Sequence, residues 1–312
     1  MYPIRFENLY YDKIWGGRDL EEFRTNLPQG DIGESWDIAC HPNGTGIVAN
    51  GELKGKSFTE IIEEFGHSLV GTKVSTEKFP LLVKLINSRE KLSVQVHPGD
   101  EYAKRVENEF GKTEAWYVVA AKPGAKLIVG TKNCDKAVFA KAIEEGKCED
   151  YLNVIDVKKG DCFLINSGLV HAICEGLIIA EIQQNSDVTY RVYDYDRLQN
   201  GRPRELHIEK SIDVITVPAK SVEDSVTSAL GLPENRLNEL YACGYYQIYK
   251  LDVNGTCSFA QNHPFLLMSV LEGSGIVNGQ PVKKGDHFIL PCGFGEVEMQ
   301  GEMSLVVSTV PA

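Results

Sequence analysis

Short apolar runs bounded by turn residues fill the second half of the chain. They are rich in β-branched, leucine or aromatic residues, with Gly, Asn or Pro between many of them, and they span residues 162–165, 177–182, 188–195, 245–251 and 265–271. Runs of this length and composition are typical of β-strands. Many such strands close into a sandwich or a barrel, so the pattern predicts a mainly β fold.

Three segments in the first half predict short helices. Residues 58–65 place apolar side chains at 58, 61, 62 and 65, which is the spacing of one helix face, and Gly66 ends the run. Residues 135–145 have the same kind of apolar face. Residues 100–110 predict a third helix, with Asp100 as its N-cap.

An internal repeat defines the organisation of the chain. Residues 157–168 align without gaps with residues 282–293, and seven of the twelve positions are identical. Each copy consists of a Gly-Asp turn, an apolar strand and a second turn closed by glycine. The repeat predicts that one β-barrel unit is used twice.

The two copies differ in one residue that bears on chemistry. Three residues past the second glycine, His171 in the first copy aligns with Glu296 in the second. We therefore expect residues 1–225 to form a metal-binding, catalytic domain and residues 226–312 a second barrel without metal ligands. Residues 218–237 have the composition of a connecting segment.

Polar side chains share one face of the strand-like run 93–97. The alternation of a strand places Ser93, Gln95 and His97 on one side and two valines on the other. Glu114 opens the next strand-like run, and imidazole, carboxamide and carboxylate groups are ligands that suit zinc or a similar divalent ion. A partly buried strand histidine beside a surface glutamine is the alternative, and these positions alone favour neither.

Composition and net charge limit the kinds of partner that the chain can bind. The 312 residues suggest about two domains, and the formal net charge of −12 argues against nucleic acid or an anionic membrane as a partner. Lys84, Arg89, Lys91, Lys112 and Arg191 are candidates for a local basic site. The eight cysteines are scattered and the N-terminus has no export signal, so we expect reduced thiols and a cytoplasmic protein.

The repeat resembles the second motif of cupin proteins. The matching residues are Gly160, Gly168 and His171 in the first copy and Gly285, Pro291 and Gly293 in the second. Asn166 stands where the motif usually has proline. The first cupin motif usually has His-x-His followed closely by Glu, whereas here Gln95 replaces the first histidine and a helix-bearing insertion separates His97 from Glu114.

These departures are themselves similar to the pattern of type I mannose-6-phosphate isomerases, in their short bacterial form. The resemblance covers nearly the whole chain and rests on Trp15-Gly16-Gly17, Gly33-Glu34-Ser35-Trp36, His41-Pro42-Asn43-Gly44, residues 92–98, Lys112-Thr113-Glu114 and Asn185-Ser186-Asp187 with Arg191. It implies two cupin-type jelly-roll barrels with a few short helices inserted in the first.

The resemblance also implies a site and a reaction. One zinc ion per chain would be held by Gln95, His97, Glu114 and His171. Lys84 and Ser93 would contact the phosphate of the substrate, and the catalytic residues would be Arg191, Lys112 and Asp187, of which Lys112 and Arg191 also bind substrate. The reaction would interconvert mannose 6-phosphate and fructose 6-phosphate through an enediolate, whose charge a metal and fixed cations stabilise.

Several alternatives stay open at this point. The general base is open among Lys112, Asp187, Glu114 and a zinc-bound water. A metal-dependent cupin oxygenase and a non-catalytic bicupin that binds a sugar phosphate are the competing functions, and Gln95 argues against the first. Trp116 is expected to be a core residue rather than a sugar platform. The oligomeric state is open, and a monomer is compatible with the sequence.

Overall fold

The computed structural model describes residues 2–219 and 225–311, and the fold is mainly β. Up to residue 219 the strands are β1 (Ile4–Arg5), β2 (Leu9–Gly17), β3 (Ile32–Ile38), β4 (Cys40–His41), β5 (Gly44–Thr45), β6 (Leu81–Ser88), β7 (Val94–Val96), β8 (Glu114–Ala121), β9 (Lys126–Thr131), β10 (Leu152–Asp156), β11 (Asp161–Ile165), β12 (His171–Ile173), β13 (Leu177–Gln184), β14 (Tyr190–Tyr193), β15 (Leu198–Gln199) and β16 (Arg202–Pro203). From residue 225 they are β17 (Val226–Ser228), β18 (Asn238–Ala242), β19 (Gln247–Gln261), β20 (Leu266–Val277), β21 (Gln280–Lys283), β22 (His287–Leu290) and β23 (Gly295–Thr309).

The helices are short and lie in the first part of the chain. They are α1 (Phe58–Phe65), α2 (His67–Val70), α3 (Asp100–Val106), α4 (Lys136–Glu144) and α5 (Ile208–Val214), with two 3₁₀ helices at Asp19–Glu22 and Cys148–Tyr151. No helix in the described ranges has both the length and the apolar character needed to cross a bilayer.

Local sequence accounts for α1 and α4, and both predictions are confirmed. Ser57 and Glu60 form a reciprocal capping box at the start of α1, and Asp135 caps α4 through the backbone N–H of Val138. The N-cap predicted at Asp100 is wrong, because Gly99 occupies that position and α3 ends at Val106.

Tertiary hydrogen bonds explain the difference at Asp100. Its Oδ1 accepts the backbone N–H of Gly111 at 2.8 Å and the side-chain amide of Gln184 at 3.0 Å. The carboxylate therefore fastens the end of the inserted segment to the barrel instead of capping the helix beside it.

Two sheets enclose the first core. A seven-stranded sheet runs β17-β11-β8-β13-β6-β3-β2, and a five-stranded sheet runs β10-β9-β12-β7-β14. Trp116, Phe163 and Ile179 of the larger sheet share one apolar cluster with Leu127 and Ile173 of the smaller one. The two sheets therefore form the walls of one sandwich, and that sandwich carries the residues considered below.

A third sheet forms the second unit. Its strands run β1-β22-β20-β23-β19-β18, with β21 paired to β20, and its interior is an apolar cluster that includes Leu251, Met268 and Phe288. Two pairings link the units, since β1 lies on β22 and β17 lies on β11. The division after residue 225 stays a proposal, and part of the predicted connecting segment, residues 220–224, lies outside the described residues.

The sequence repeat is a repeat in three dimensions. Gly160 and Gly285 both have a φ of 89°, a backbone conformation that favours glycine. The side chain of Asp161 accepts the N–H of Lys158 at 3.0 Å, and that of Asp286 accepts the N–H of Lys283 at 2.9 Å. Each copy therefore begins with the same turn.

A buried polar cluster joins the two units behind β3. Arg24 donates to Asp37 Oδ1 at 2.7 Å and to the carbonyl of Gly285 at 2.6 Å, and its Nη2 lies 3.1 Å from His287 Nε2. His287 Nε2 also lies 3.2 Å from Asp37 Oδ2, and its Nδ1 lies 2.9 Å from Ser269 Oγ, so both ring nitrogens have a polar neighbour inside the cluster. Burial lowers the pKa of His287 to about 4, although Asp37 opposes this shift.

This cluster predicts a pH dependence of stability. An unfolded histidine has a pKa near 6.5, so between about pH 6.5 and pH 4 the unfolded chain binds a proton that His287 in the folded protein does not. The free energy of unfolding should therefore fall by up to about 3 kcal/mol as the pH falls through this range. Denaturant unfolding at a series of pH values should show a smaller fall for His287→Asn than for the wild type. An exposed control, His67→Asn, should keep the wild-type slope, and equal slopes for His287→Asn and wild type would contradict the assignment.

Candidate metal centre and active site

Strand pairing brings three predicted site residues together on the smaller sheet. Gln95 of β7 lies opposite His171 of β12 on one side and opposite Arg191 of β14 on the other. Residues directly opposite in antiparallel strands project from the same face. Glu114 begins β8 in the facing sheet, so the site lies between the two sheets.

His97, Glu114 and His171 form a group that could hold a metal ion. Their ligand atoms all lie within 4.8 Å of one another, and all three side chains are buried. The two Nε2 atoms of the histidines are 3.2 Å apart, and His97 Nε2 is 3.3 Å from Glu114 Oε1. His171 Nε2 is 3.8 Å from Glu114 Oε2.

Backbone carbonyls fix which nitrogen of each histidine faces the group. His97 Nδ1 lies 2.9 Å from the carbonyl of Val188, and His171 Nδ1 lies 2.8 Å from that of Leu169. A carbonyl only accepts, so both rings carry a proton at Nδ1 and present a lone pair at Nε2. Two lone pairs and a carboxylate meeting in a buried space repel one another unless a cation lies among them. The residues present therefore fit a divalent metal.

The protonation states agree with this geometry. Burial and the nearby Lys112 lower the pKa of His97 to about 3, and burial lowers the pKa of His171. Burial raises the pKa of Glu114, but Lys112 and His97 together lower it well below its usual range. Neutral imidazoles and an ionised carboxylate are the forms that bind a metal.

A cavity of about 280 Å³ opens beside this group. Gln95 and Glu114 line it, and so do all the residues predicted to act on substrate: Lys84, Ser93, Lys112, Asp187 and Arg191. A larger cavity of about 900 Å³ lies between the hairpin β4–β5 and α3, and it contains none of the predicted site residues. The smaller cavity is the candidate active site because the chemistry converges there.

Most cations of the smaller cavity are already paired with carboxylates. Lys112 Nζ lies 2.9 Å from Glu114 Oε1, Lys84 Nζ lies 3.2 Å from Glu181 Oε1, and Lys13 pairs with Glu34 at 3.1 Å. Burial lowers the pKa of Lys84, but Glu181 and Glu34 raise it above its ordinary value. Lys84 is thus a buried, paired cation, and its predicted contact with phosphate stays a prediction.

Arg191 differs from these lysines. Its Nη1 donates to the carbonyl of Glu205 at 2.7 Å, and its Nε is buried without a hydrogen-bond partner. Over residues 2–219 and 225–311 no carboxylate lies within 4.0 Å of this guanidinium. Burial and the neighbouring Arg204 lower the pKa of Arg191. Arg191 is therefore a cation whose charge is available to a ligand.

Glu181 is a site residue that reasoning from the sequence missed. It lies on β13, and burial and Glu114 raise its pKa. Trp116 is fully buried, as expected for a core residue, and its Nε1 donates to Glu114 Oε2 at 3.1 Å and to Glu181 Oε2 at 3.0 Å. One feature of the sequence could have identified Glu181: it is a single carboxylate within the apolar run 177–182, where burying a charge without a partner would be costly.

The fold and the site together define a two-barrel cupin protein with a candidate metal centre in its first barrel. The family described as "Phosphomannose isomerase type I, catalytic domain" matches residues 4–123, and "Mannose-6-phosphate isomerase, cupin domain" matches residues 237–310. Mannose-6-phosphate isomerase ManA of Bacillus subtilis is 41% identical over 321 residues, which cover 98% of each chain. The chain belongs to the type I phosphomannose isomerase family.

Solved structures agree with the fold. The crystal structure of the mannose 6-phosphate isomerase from Bacillus subtilis matches with a TM-score of 0.88 and 38% identity, covering 99% of this chain and 100% of that one. A zinc-bound mannose 6-phosphate isomerase matches with a TM-score of 0.81 at 14% identity, over 99% of this chain and 100% of that chain, and shows the fold alone. The predicted fold class, mainly β with cupin-type barrels, is confirmed.

The ligand group predicts the outcome of single substitutions. His97→Ala and Glu114→Ala each remove a charge or lone pair that faces the metal position, so metal affinity should fall by more than the ~10–100-fold typical of losing an outer-shell partner. Elemental analysis of purified protein measures the bound metal directly. His263→Ala, in the second unit, is the control and should retain it. A wild-type metal content in His171→Ala would rule out this centre.

Proposed function

We propose that this protein is a mannose-6-phosphate isomerase, which interconverts mannose 6-phosphate and fructose 6-phosphate through an enediolate. The observation that carries the proposal is the convergence of His97, Glu114 and His171 beside a cavity that contains the uncompensated cation Arg191. Membership of the type I phosphomannose isomerase family supports it. Two histidines and one carboxylate also occur in iron oxygenases, but Gln95 and membership of the isomerase family argue against that function, and the family likewise argues against a non-catalytic binder.

The metal of the proposed enzyme is one zinc ion per chain, held by Gln95, His97, Glu114 and His171. Nitrogen and oxygen donors of this kind suit zinc, and Gln95 lies opposite His171 on the neighbouring strand. When bound, zinc would supply a Lewis acid that polarises a substrate oxygen. A cytoplasmic location and a monomeric state stay predictions.

Arg191 is proposed to stabilise negative charge on the substrate. Its guanidinium is always protonated, lies partly buried and faces no carboxylate among the described residues. A fixed donor at the edge of a desolvated cavity interacts more strongly with charge that develops during reaction than water would. Lys112 and Lys84 are held by Glu114 and Glu181, so we assign them to shaping the field of the cavity and contacting substrate hydroxyl or phosphate oxygens.

Proton transfer between C1 and C2 requires an acid–base group in the cavity. Glu181 suits this role because it lines the cavity and burial raises its pKa, which favours a carboxyl group that can both give and take a proton. Lys112 and Asp187 line the same cavity and are the other protein groups in reach. We propose Glu181 as the first candidate and Asp187 as a group that positions the sugar.

A coupled assay tests the function. Purified protein with mannose 6-phosphate should form fructose 6-phosphate, and a chelator should abolish turnover because the ligand set would lose its metal. Re-addition of zinc should restore it. Binding of mannose 6-phosphate without turnover, or oxygen uptake in place of isomerisation, would show that the proposed function is wrong.

The role of Arg191 predicts a separation between catalysis and metal binding. Arg191→Ala should lower kcat/KM about 10²–10³-fold, the usual effect of removing a donor that stabilises a developing charge, while the metal content stays at the wild-type level. Steady-state kinetics and elemental analysis of the same sample measure both quantities. Arg89→Ala is the matched control, because Arg89 is exposed and paired with Asp31, and it should leave both unchanged. Loss of metal in Arg191→Ala would contradict a purely electrostatic role.

A further inference from the structure

The hairpin β4–β5 has no role in the site described so far, although its turn, 41–44, is one of the segments on which the family resemblance rests. It forms a two-stranded sheet of its own, in which Cys40 pairs with Thr45 and His41 with Gly44. It also lines the larger cavity of about 900 Å³. The hairpin therefore borders a cavity that contains none of the predicted site residues.

The turn of the hairpin is fixed by contacts to its backbone. His41 Nδ1 accepts the N–H of Asn43 at 3.1 Å, and the hydroxyl of Tyr11 donates to the carbonyl of Asn43 at 3.0 Å. A side chain at Gly44 has no space, because its Cβ would lie 2.2 Å from the Tyr11 hydroxyl oxygen. The main chain of Asn43 is therefore held in place by contacts that do not involve its own side chain.

Two side-chain amides connect this hairpin to the segment 185–188. Asn185 Nδ2 donates to the carbonyl of Cys40 at 2.7 Å, and Asn43 Nδ2 donates to Asp187 Oδ2 at 3.0 Å. The second bond joins residues 144 positions apart in the chain. The hairpin is therefore attached at its base and at its tip to one short segment of the active-site wall.

That segment touches both halves of the site. Asp187 lines the smaller cavity, and the next residue, Val188, provides the carbonyl that lies 2.9 Å from His97 Nδ1. Asn185 is buried, and its amide also donates to the carbonyl of Phe79 at 2.8 Å. Asp187 itself is exposed, so packing restrains its carboxylate little, and the hydrogen bond from Asn43 restricts its rotation.

We propose that Asn43 is a positioning residue of the active site. Its amide holds the Asp187 carboxylate in one orientation at the cavity wall, while the hairpin β4–β5 braces the segment 185–188. A hydrogen bond to a charged acceptor is stronger and more directional than one to a neutral group, so a single amide can select one rotamer. Asn43 does not touch the reacting atoms and acts through Asp187. The inference rests on the proposed function for its assay.

A double-mutant cycle tests the proposal. Asn43→Ala should lower kcat/KM for mannose 6-phosphate about tenfold, because a misoriented contact weakens substrate positioning. Asn43→Asp should lower it further, since it places a second negative charge beside Asp187. In an Asp187→Ala background, Asn43→Ala should have no additional effect, whereas independent effects would add. Asn254→Ala is the matched control: it removes an exposed amide–carboxylate hydrogen bond of the same kind, to Glu234 at 2.9 Å in the second unit, and should keep wild-type kinetics.

The outcomes separate this proposal from the proposed function. Wild-type protein is assayed first, and absence of turnover would end the proposed function; the same cycle is then read from the affinity for mannose 6-phosphate measured by calorimetry. Metal content and thermal midpoint are recorded for every variant and should match the wild type, which excludes a general loss of fold. If the wild type is active, an unchanged kcat/KM in Asn43→Ala would overturn the proposal; if it is not, an unchanged affinity would. Effects of Asn43→Ala and Asp187→Ala that simply add would overturn it in either case.

Discussion

The central constraint on this protein is the meeting of two imidazole lone pairs and one carboxylate at a buried position beside the cavity. Their ligand atoms lie within 4.8 Å of one another, and carbonyls of Val188 and Leu169 prevent either histidine from turning its protonated nitrogen inward. Lys112 and Trp116 contact the Glu114 carboxylate, but the two Nε2 lone pairs, 3.2 Å apart, face no donor among the described residues, and burying such acceptors is costly. A cation among them removes the cost. The site needs both sheets, because Glu114 begins β8 of one sheet, whereas His171 begins β12 of the other and His97 directly follows β7 of that same sheet.

Charge balance around that position explains the rest of the site. Lys112, Lys84 and Lys13 each lie beside a carboxylate, and Glu34 shows the strength of these pairs, because Lys84 and Lys13 lower its pKa to about 2 against the opposing effect of burial. Such pairing offsets the cost of burying these charges and reduces the net charge that they present to a ligand. Of the cations that line the cavity, Arg191 is the one with no carboxylate within 4.0 Å among the described residues, so a ligand with negative charge would be drawn to its end of the cavity.

Local pattern in the sequence predicts elements whose hydrogen bonds are local. The capping box at Ser57 and the cap at Asp135 each involve residues three positions apart, so the local sequence predicts them. The repeated Gly-Asp turns likewise predict two related units. Strand length is different. The run predicted at 245–251 extends to Gln261, through an Asn254-Gly255 pair that usually signals a turn, because these residues pair with Glu302 and Gly301 of β23. Partners 48 and 46 positions further along the chain determine that length, and the residues near the predicted strand give no sign of them.

The candidate site follows the same rule. His97, Glu114 and His171 were predicted because each stands in a motif, whereas Glu181 stands in an apolar run and becomes part of the site only when β13 pairs with β6 and places it opposite Lys84. The role inferred for Asn43 depends likewise on a contact across 144 residues. The register in which the strands pair brings residues that are distant in sequence to one cavity. This register cannot be derived directly from a single sequence.

The most direct measurement of the central claim is anomalous X-ray diffraction from crystals of the purified protein, collected on both sides of the zinc absorption edge. The account predicts one anomalous peak per chain, between His97 Nε2, His171 Nε2, the Glu114 carboxylate and the Gln95 carboxamide, which disappears below the edge. Crystals of catalytically active protein that show no peak at this position, or a peak bound by other residues, would contradict it.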